Sequence, residues 1–84
     1  IELDLANWTP LPVFQWLARS GGVDEREMLR TFNCGIGMIV VVPESRAEEA
    51  ARVLTDAGEL VFPLGKLIAG KGEPTVRYKG RLAL

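Results

Sequence analysis

The longest apolar run of the chain, Met38–Val42, contains no charged or polar residue. Because polar and apolar residues do not alternate in it, a strand built from this run must be covered on both faces and cannot lie at the edge of a sheet. Ile36 extends the run at its start, and Pro43 ends it. We therefore expect a buried central strand here, with the remainder of the chain arranged around it.

A glycine-containing segment, Asn33–Gly37, leads into this predicted strand. Gly35 and Gly37 can adopt positive φ or let a ligand approach the backbone, and Asn33 tolerates left-handed geometry while offering an amide. Two interpretations are open: the segment connects a helix to the strand, or its successive N–H groups form a nest for a phosphate-bearing ligand. Because this G-x-G precedes a strand and opens no helix, the Rossmann and P-loop mechanisms do not apply.

Two side chains in or beside this segment also have two interpretations each. Arg30 can pair with a phosphate, or it can interact with the C-terminal end of its own helix. Cys34 can be a nucleophile, but no histidine is present to activate it, which favours a small packing residue. Trp8 and Trp16 are both predicted to pack in the core.

Three amphipathic segments carry helix-start and helix-stop signals. The first helix is predicted to begin with Thr9 as its N-cap and to end at Gly21–Gly22. The second has Asp24 as its N-cap, and the third begins at Ser45 and ends at Gly58. The predicted buried faces of the three helices are Val13, Phe14, Leu17 and Ala18; Met28, Leu29 and Phe32; and Ala47, Ala50, Ala51, Val53, Leu54 and Ala57.

Strand patterns occur at both ends of the chain. Alternation in Ile1–Leu5 predicts a strand with one buried face, and Leu60–Ala69 predicts a strand bent at Pro63 and Gly65. Alternation around Tyr78 predicts an exposed edge strand that returns antiparallel to the preceding one, with a loose tail after it. The order β-α-α-β-α-β-β predicts an α+β fold with helices packed on a mixed or antiparallel sheet.

Composition limits the classes of function that are open to the chain. With 84 residues, 48% of them hydrophobic, there is room for one small core and one domain, residues 1–84. The net charge of −1 and the absence of a basic block or a membrane-length apolar run predict neither nucleic acid nor a membrane as partner. One cysteine and no histidine predict a reducing, cytoplasmic location, no metal site and no self-contained active site.

Five stretches together resemble the C-terminal end of phosphoribosylformylglycinamidine cyclo-ligase, also called aminoimidazole ribonucleotide synthetase. They are Trp8–Pro12, Val13–Leu17, Glu27–Met28, Arg30–Met38 and Gly65–Ile68. The resemblance covers nearly the whole chain, and the sequence similarity is most specific between Glu27 and Met38. The chain departs from the family pattern at Thr9–Pro12 and Phe62–Leu64, which we interpret as structural positions.

The resemblance implies a C-terminal domain, ferredoxin-like in part, that belongs to a longer enzyme. Such enzymes close the ring of formylglycinamidine ribonucleotide to give aminoimidazole ribonucleotide in purine biosynthesis. The resemblance implies that ATP and Mg²⁺ bind mainly to an N-terminal domain, through which the enzyme also forms a homodimer. It further implies that this domain alone is inactive, and a start at Ile1 without methionine agrees with a fragment.

The resemblance also places the candidate site of this chain at the cleft between the two domains. Thr31, Asn33, Gly35 and Gly37 are the candidates for contact with the nucleotide substrate, and no catalytic residue is assigned. A stand-alone ferredoxin-like module for ligand binding or regulation is the alternative. A reading frame that continues upstream of Ile1 into an ATP-binding domain would distinguish the ligase from the module.

Overall fold

The computed structural model describes residues 1–84 and contains three α-helices and three short strands. The α+β prediction is confirmed, but the observed order is β-α-α-α-β-β. The strands are β1 (Glu2–Asp4), β2 (Gly65–Lys66) and β3 (Arg77–Lys79), and the helices are α1 (Pro12–Gly21), α2 (Glu25–Thr31) and α3 (Ala47–Asp56). Two 3₁₀ turns, Leu5–Asn7 and Glu44–Arg46, follow β1 and precede α3.

The N-terminal strand β1 is the centre of the sheet, whose order is β2-β1-β3. It pairs antiparallel with β2, placing Leu3 opposite Gly65, and parallel with β3, placing Leu3 opposite Tyr78. A Cβ at Gly65 would collide with the carbonyl oxygen of Glu2, so only glycine permits this close approach of the two backbones. The predicted strand at the start of the chain is confirmed.

The predicted buried strand over Met38–Val42 is wrong for this chain. Residues 37–42 belong to no strand and take part in no backbone–backbone hydrogen bond. Their side chains are exposed, Met38 to 83% and Val41 to 64%. An uninterrupted apolar strand needs other elements against both of its faces. The sheet of this chain forms around β1 instead, and no helix or strand covers the run Met38–Val42.

The predicted strands near the C-terminus are only partly correct. Gly65–Lys66 alone is a strand within the predicted 60–69 region, where Pro63 has no N–H to donate. Tyr78 lies on an edge strand, as predicted, but that strand runs parallel to β1 and is not paired with β2. The predicted antiparallel return is therefore wrong, because β1 has two edges and each of them takes one C-terminal strand.

Local signals at the helix ends are largely confirmed. Gly22, at φ 61°, ends α1 in the left-handed conformation, and Asp24 Oδ1 accepts a hydrogen bond from the Glu27 N–H at 2.9 Å at the start of α2. Thr9 is not the N-cap of α1, which begins at Pro12, the residue type suited to a first helical position. Ser45 lies in the 3₁₀ turn before α3 and does not cap that helix.

The core lies between the 3₁₀ turn after β1, the helices α1 and α2, and the C-terminal tail. Only seven residues are buried, so this small cluster carries the packing of the chain: Leu5, Trp8, Pro10, Ala18, Met28, Cys34 and Leu82. Phe14, Leu17 and Leu29 pack around it as predicted, whereas Val13 and Trp16 are exposed, so those two predictions are wrong. Phe32 is 37% exposed and stacks obliquely on Phe14, with ring centroids 6.0 Å apart.

The C-terminal tail, predicted to be loose, is tied to the core. Leu82 is buried, and its N–H donates to Glu25 Oε1 at 2.7 Å. Gln15 Nε2 donates to the carbonyl oxygen of Ala83 at 2.7 Å. The tail is ordered because it supplies one apolar side chain to the core and finds polar partners on both α1 and α2.

Helix α3 lies outside this core and has no buried residue. Its only extensive contact is with the 3₁₀ turn that precedes it. The predicted buried face is therefore wrong: Ala47, Val53 and Ala57 are exposed, while Ala50, Ala51 and Leu54 are half-buried. The radius of gyration is accordingly 14.3 Å, against about 12 Å for a compact domain of this length.

Candidate functional site

The candidate turn, Asn33–Gly37, follows the C-terminal end of α2. There the N–H of Phe32, the residue after the helix, donates to the Met28 carbonyl oxygen at 2.9 Å. Cys34 and Gly35 both have positive φ, at 53° and 100°. Gly35 therefore requires its glycine, because side chains are strained at that φ. Gly37 has no positive φ, and a Cβ there would have nothing within 4 Å, so its backbone does not require glycine.

Asn33 closes this turn through both of its carbonyl oxygens. Its side-chain Oδ1 accepts from the Gly35 N–H at 2.8 Å, and its backbone oxygen accepts from the Ile36 N–H at 3.1 Å. Two successive N–H groups of the predicted nest are thus used within the turn itself. The side-chain NH₂ of Asn33 and the backbone N–H groups of Asn33, Cys34 and Gly37 remain as donors without a protein partner.

The turn is fixed to the core by Cys34, whose side chain is fully buried. The indole Nε1 of Trp8 donates to the Cys34 carbonyl oxygen at 3.1 Å, and the Cys34 thiol lies 3.6 Å from the Met28 carbonyl oxygen. Burial raises the pKa of the Cys34 thiol, which disfavours the reactive thiolate. The prediction that Cys34 is a packing residue is confirmed.

Two polar side chains of α2 stand beside the turn. Thr31 Oγ1 donates to Glu27 Oε1 at 3.2 Å, and Thr31 is exposed. Arg30 is exposed and belongs to none of the three ion pairs of the chain. It lies in the last turn of α2, where a cation is favourable next to the helix carbonyls, so both interpretations of Arg30 remain open.

The electrostatics of the turn set limits on what it can bind. Helix carbonyl groups at the C-terminal end of α2 carry partial negative charge, which disfavours an anion. Binding of a phosphate would therefore depend on Arg30 and on the NH₂ group of Asn33, with little help from the helix. All four predicted contact residues, Thr31, Asn33, Gly35 and Gly37, are exposed on this short stretch of chain.

Two anchoring contacts of the turn were not anticipated from the sequence. They are the hydrogen bond from Trp8 to Cys34 and the approach of Leu11, whose Cγ would lie 3.5 Å from a Cβ built on Gly35. A signal for the first was available, because a buried tryptophan N–H needs an acceptor. Nothing local in the sequence indicates which carbonyl supplies it.

Elsewhere the polar groups are already paired or dispersed. Asp24, Glu25, Arg26 and Arg81 line an open depression of about 320 Å³, in which Glu25 accepts from Arg81 at 3.3 Å. No three acidic or thiol side chains lie together in a group that could hold a metal ion. None of the three α-helices has the length and hydropathy needed to cross a bilayer.

A family model described as "AIR synthase related protein, C-terminal domain" matches residues 1–77. The match includes all three helices, the candidate turn and the first two strands. The description implies that full proteins of this family carry an N-terminal domain as well. No solved structure matches the chain.

Proposed function

Because the chain belongs to the family of AIR synthase related protein C-terminal domains, we propose that it is the C-terminal domain of a phosphoribosylformylglycinamidine cyclo-ligase. The proposed reaction is the ATP-dependent ring closure of formylglycinamidine ribonucleotide to aminoimidazole ribonucleotide in de novo purine biosynthesis. The observation that carries the proposal is the stretch Arg30–Met38, which lies inside the matched residues and resembles the corresponding stretch of that enzyme. Other enzymes with this domain are the competing assignment.

In the proposed enzyme the candidate turn faces the substrate in the cleft between the two domains. The NH₂ group of Asn33 and the N–H of Gly37 are two of its available donors, and the Arg30 guanidinium supplies positive charge for the substrate phosphate. Thr31 and Gly35 border the same surface, and the positive φ of Gly35 holds the turn in shape. The chain contributes binding and orientation, and no general base is assigned to it.

ATP and Mg²⁺ bind mainly to the N-terminal domain in this proposal. When bound there, ATP supplies the phosphoryl group that activates the formyl oxygen. The proposed assembly is a homodimer formed largely through that domain, in the cytoplasm.

The direct test is turnover of formylglycinamidine ribonucleotide with ATP and Mg²⁺, followed by the appearance of aminoimidazole ribonucleotide. We expect the full-length protein to be active and the 84-residue chain alone to be inactive. A full-length protein that hydrolyses ATP with a different substrate but leaves this one unchanged would refute the cyclo-ligase and point to a related enzyme. Turnover by the 84-residue chain alone would refute the division of roles between the domains.

A further inference from the structure

The C-terminal end of α2 carries hydrogen-bond acceptors that no protein group uses. The carbonyl oxygens of Leu29, Arg30 and Thr31 accept no hydrogen bond from the backbone or from a side chain. After α3, by contrast, the chain turns back and donates to three carbonyl groups of that helix. Unpartnered carbonyls at a helix end bind water or a ligand, so the neighbouring side chains decide which ligand fits.

The side chains of Thr31 and Glu27 add two more acceptors at this end of the helix. Thr31 Oγ1 donates its proton to Glu27 Oε1 at 3.2 Å. A hydroxyl group has one proton to donate and two lone pairs to accept with, so Thr31 Oγ1 can meet a ligand only as an acceptor. Glu27 belongs to none of the three ion pairs, its Oε2 has no protein partner, and both residues are exposed.

These acceptors determine which part of a sugar phosphate can bind to them. The partial negative charge of the helix end disfavours the phosphate itself and favours groups that donate hydrogen bonds. In the proposed function the phosphate lies at the guanidinium of Arg30, the chain neighbour of Thr31. Within a ribose phosphate the hydroxyl groups are the donors, and a carboxylate accepts from a ribose hydroxyl in the same way in dinucleotide-binding folds.

We propose that Thr31 and Glu27 bind the 2′- and 3′-hydroxyl groups of the substrate ribose. Thr31 Oγ1 accepts from one hydroxyl and Glu27 Oε2 from the other, while the hydrogen bond between the two side chains holds both oxygens in place. The inference rests on the proposed function, because it uses the same site, and it adds Glu27 to the residues that contact the substrate. Neither residue takes part in the chemical step, so both act on substrate affinity and selectivity.

The test compares formylglycinamidine ribonucleotide with its 2′,3′-dideoxy analogue as substrates of the full-length enzyme. The wild-type enzyme should prefer the ribonucleotide at least tenfold in kcat/KM, because the analogue leaves both acceptors without a donor. The analogue keeps the phosphate and the reacting groups, so any loss reports on the hydroxyl contacts alone.

Two variants assign this preference to the named residues. Glu27→Gln and Thr31→Val should each raise the KM for the ribonucleotide about tenfold, with little change in kcat and no change in the KM of the dideoxy analogue. Glu27→Gln keeps the backbone N–H that Asp24 Oδ1 accepts from, so the start of α2 is retained. Glu48→Gln is the matched control, since it removes the same charge from the first turn of α3 and should leave both KM values unchanged.

A wild-type enzyme that uses both substrates equally well would overturn the proposal. So would a Glu27→Gln enzyme that loses kcat/KM equally with both, since the pair would then only support the helix. If the full-length protein does not turn over the ribonucleotide at all, the proposed function is wrong, and an NMR titration with ribose 5-phosphate decides the inference separately. Saturable shifts of the Glu27 and Thr31 signals that Glu27→Gln abolishes would support it, and unshifted signals would overturn it.

Discussion

Two methionines ten positions apart mark the two halves of this molecule. Met28 is completely buried among α1, the candidate turn and the C-terminal tail, whereas Met38 is 83% exposed at the start of the run Met38–Val42. The stretch around Met38 is the more apolar of the two, so hydrophobicity alone does not decide which is buried. Burial follows from the presence of other elements: α2 has neighbours on its apolar face, and the run has none.

The largest expected difference between the halves is in the cost of truncating these two side chains. Met28→Ala leaves a cavity in the only core and should lower the free energy of unfolding by about 2–5 kcal/mol. Met38→Ala should change it by less than about 0.5 kcal/mol. Urea unfolding at low micromolar concentration, where the single chain prevails, measures both. Comparable losses for the two variants would show that the run is covered in the single chain.

The two tryptophans sharpen the same comparison. Trp8→Phe removes the donor to the buried Cys34 carbonyl and should cost about 1–3 kcal/mol. Trp16 is 63% exposed and has no hydrogen bond through its indole, so Trp16→Phe should be nearly neutral. Thermal unfolding of the two variants checks this prediction. A loss of stability in Trp16→Phe equal to that in Trp8→Phe would contradict the observed packing.

The two glycines of the candidate turn should also respond differently. Gly35→Ala forces a side chain into φ 100° beside Leu11 and should cost about 1–2 kcal/mol. Gly37→Ala meets open space at an ordinary φ and should be neutral or stabilise by a few tenths of a kcal/mol. Chemical denaturation of both variants measures these changes in the free energy of unfolding. A strong loss at Gly37 would indicate that the turn is differently shaped in solution.

Asn33 allows the structural and binding roles of the turn to be separated. Asn33→Ala loses the acceptor for the Gly35 N–H and should cost about 1 kcal/mol of stability. Asn33→Asp keeps that oxygen but replaces the NH₂ donor by a negative oxygen beside the C-terminal end of α2. It should therefore cost at most about 1 kcal/mol of stability, while substrate binding weakens. In the full-length enzyme we expect Asn33→Asp to raise the KM for formylglycinamidine ribonucleotide about tenfold.

Ser45→Asp is the matched control for Asn33→Asp, since it adds the same charge outside the turn, near the start of α3 where a carboxylate is tolerated. It should leave KM unchanged and should stabilise the fold by at most about 1 kcal/mol. An Asn33→Asp enzyme with unaltered kinetics would mean that the turn is a connector and that the substrate is bound elsewhere.

The sequence predicted best where a single residue determines the local backbone. Asp24 as an N-cap and Gly22 and Gly58 as helix ends are such cases, because capping bonds and positive φ need no distant partner. The burial of Met28 and the packing roles of Trp8 and Cys34 were also predictable, because α2 is amphipathic and because tryptophan and free cysteine are usually packing residues.

The prediction failed where the outcome depends on distant pairing. Local patterns do not identify the partners in the parallel pairing of β3 with β1 or in the anchoring of Leu82 by Glu25. They also do not show that the run Met38–Val42 lacks a covering element. For the candidate site, the position of the turn Asn33–Gly37 directly after α2 was predictable. The internal use of the Gly35 and Ile36 N–H groups by Asn33 was not, because it depends on the exact course of the turn.

Amide hydrogen exchange in dilute solution tests the contrast between the Met28 core and the run Met38–Val42 most directly. In dilute solution the amides of residues 37–42 should exchange nearly as fast as in an unstructured peptide, while the Met28 amide, bonded to the Asp24 carbonyl at 2.9 Å, is protected. Strong protection of these amides in the dilute single chain would contradict the account, since it would require a partner strand that this chain does not provide.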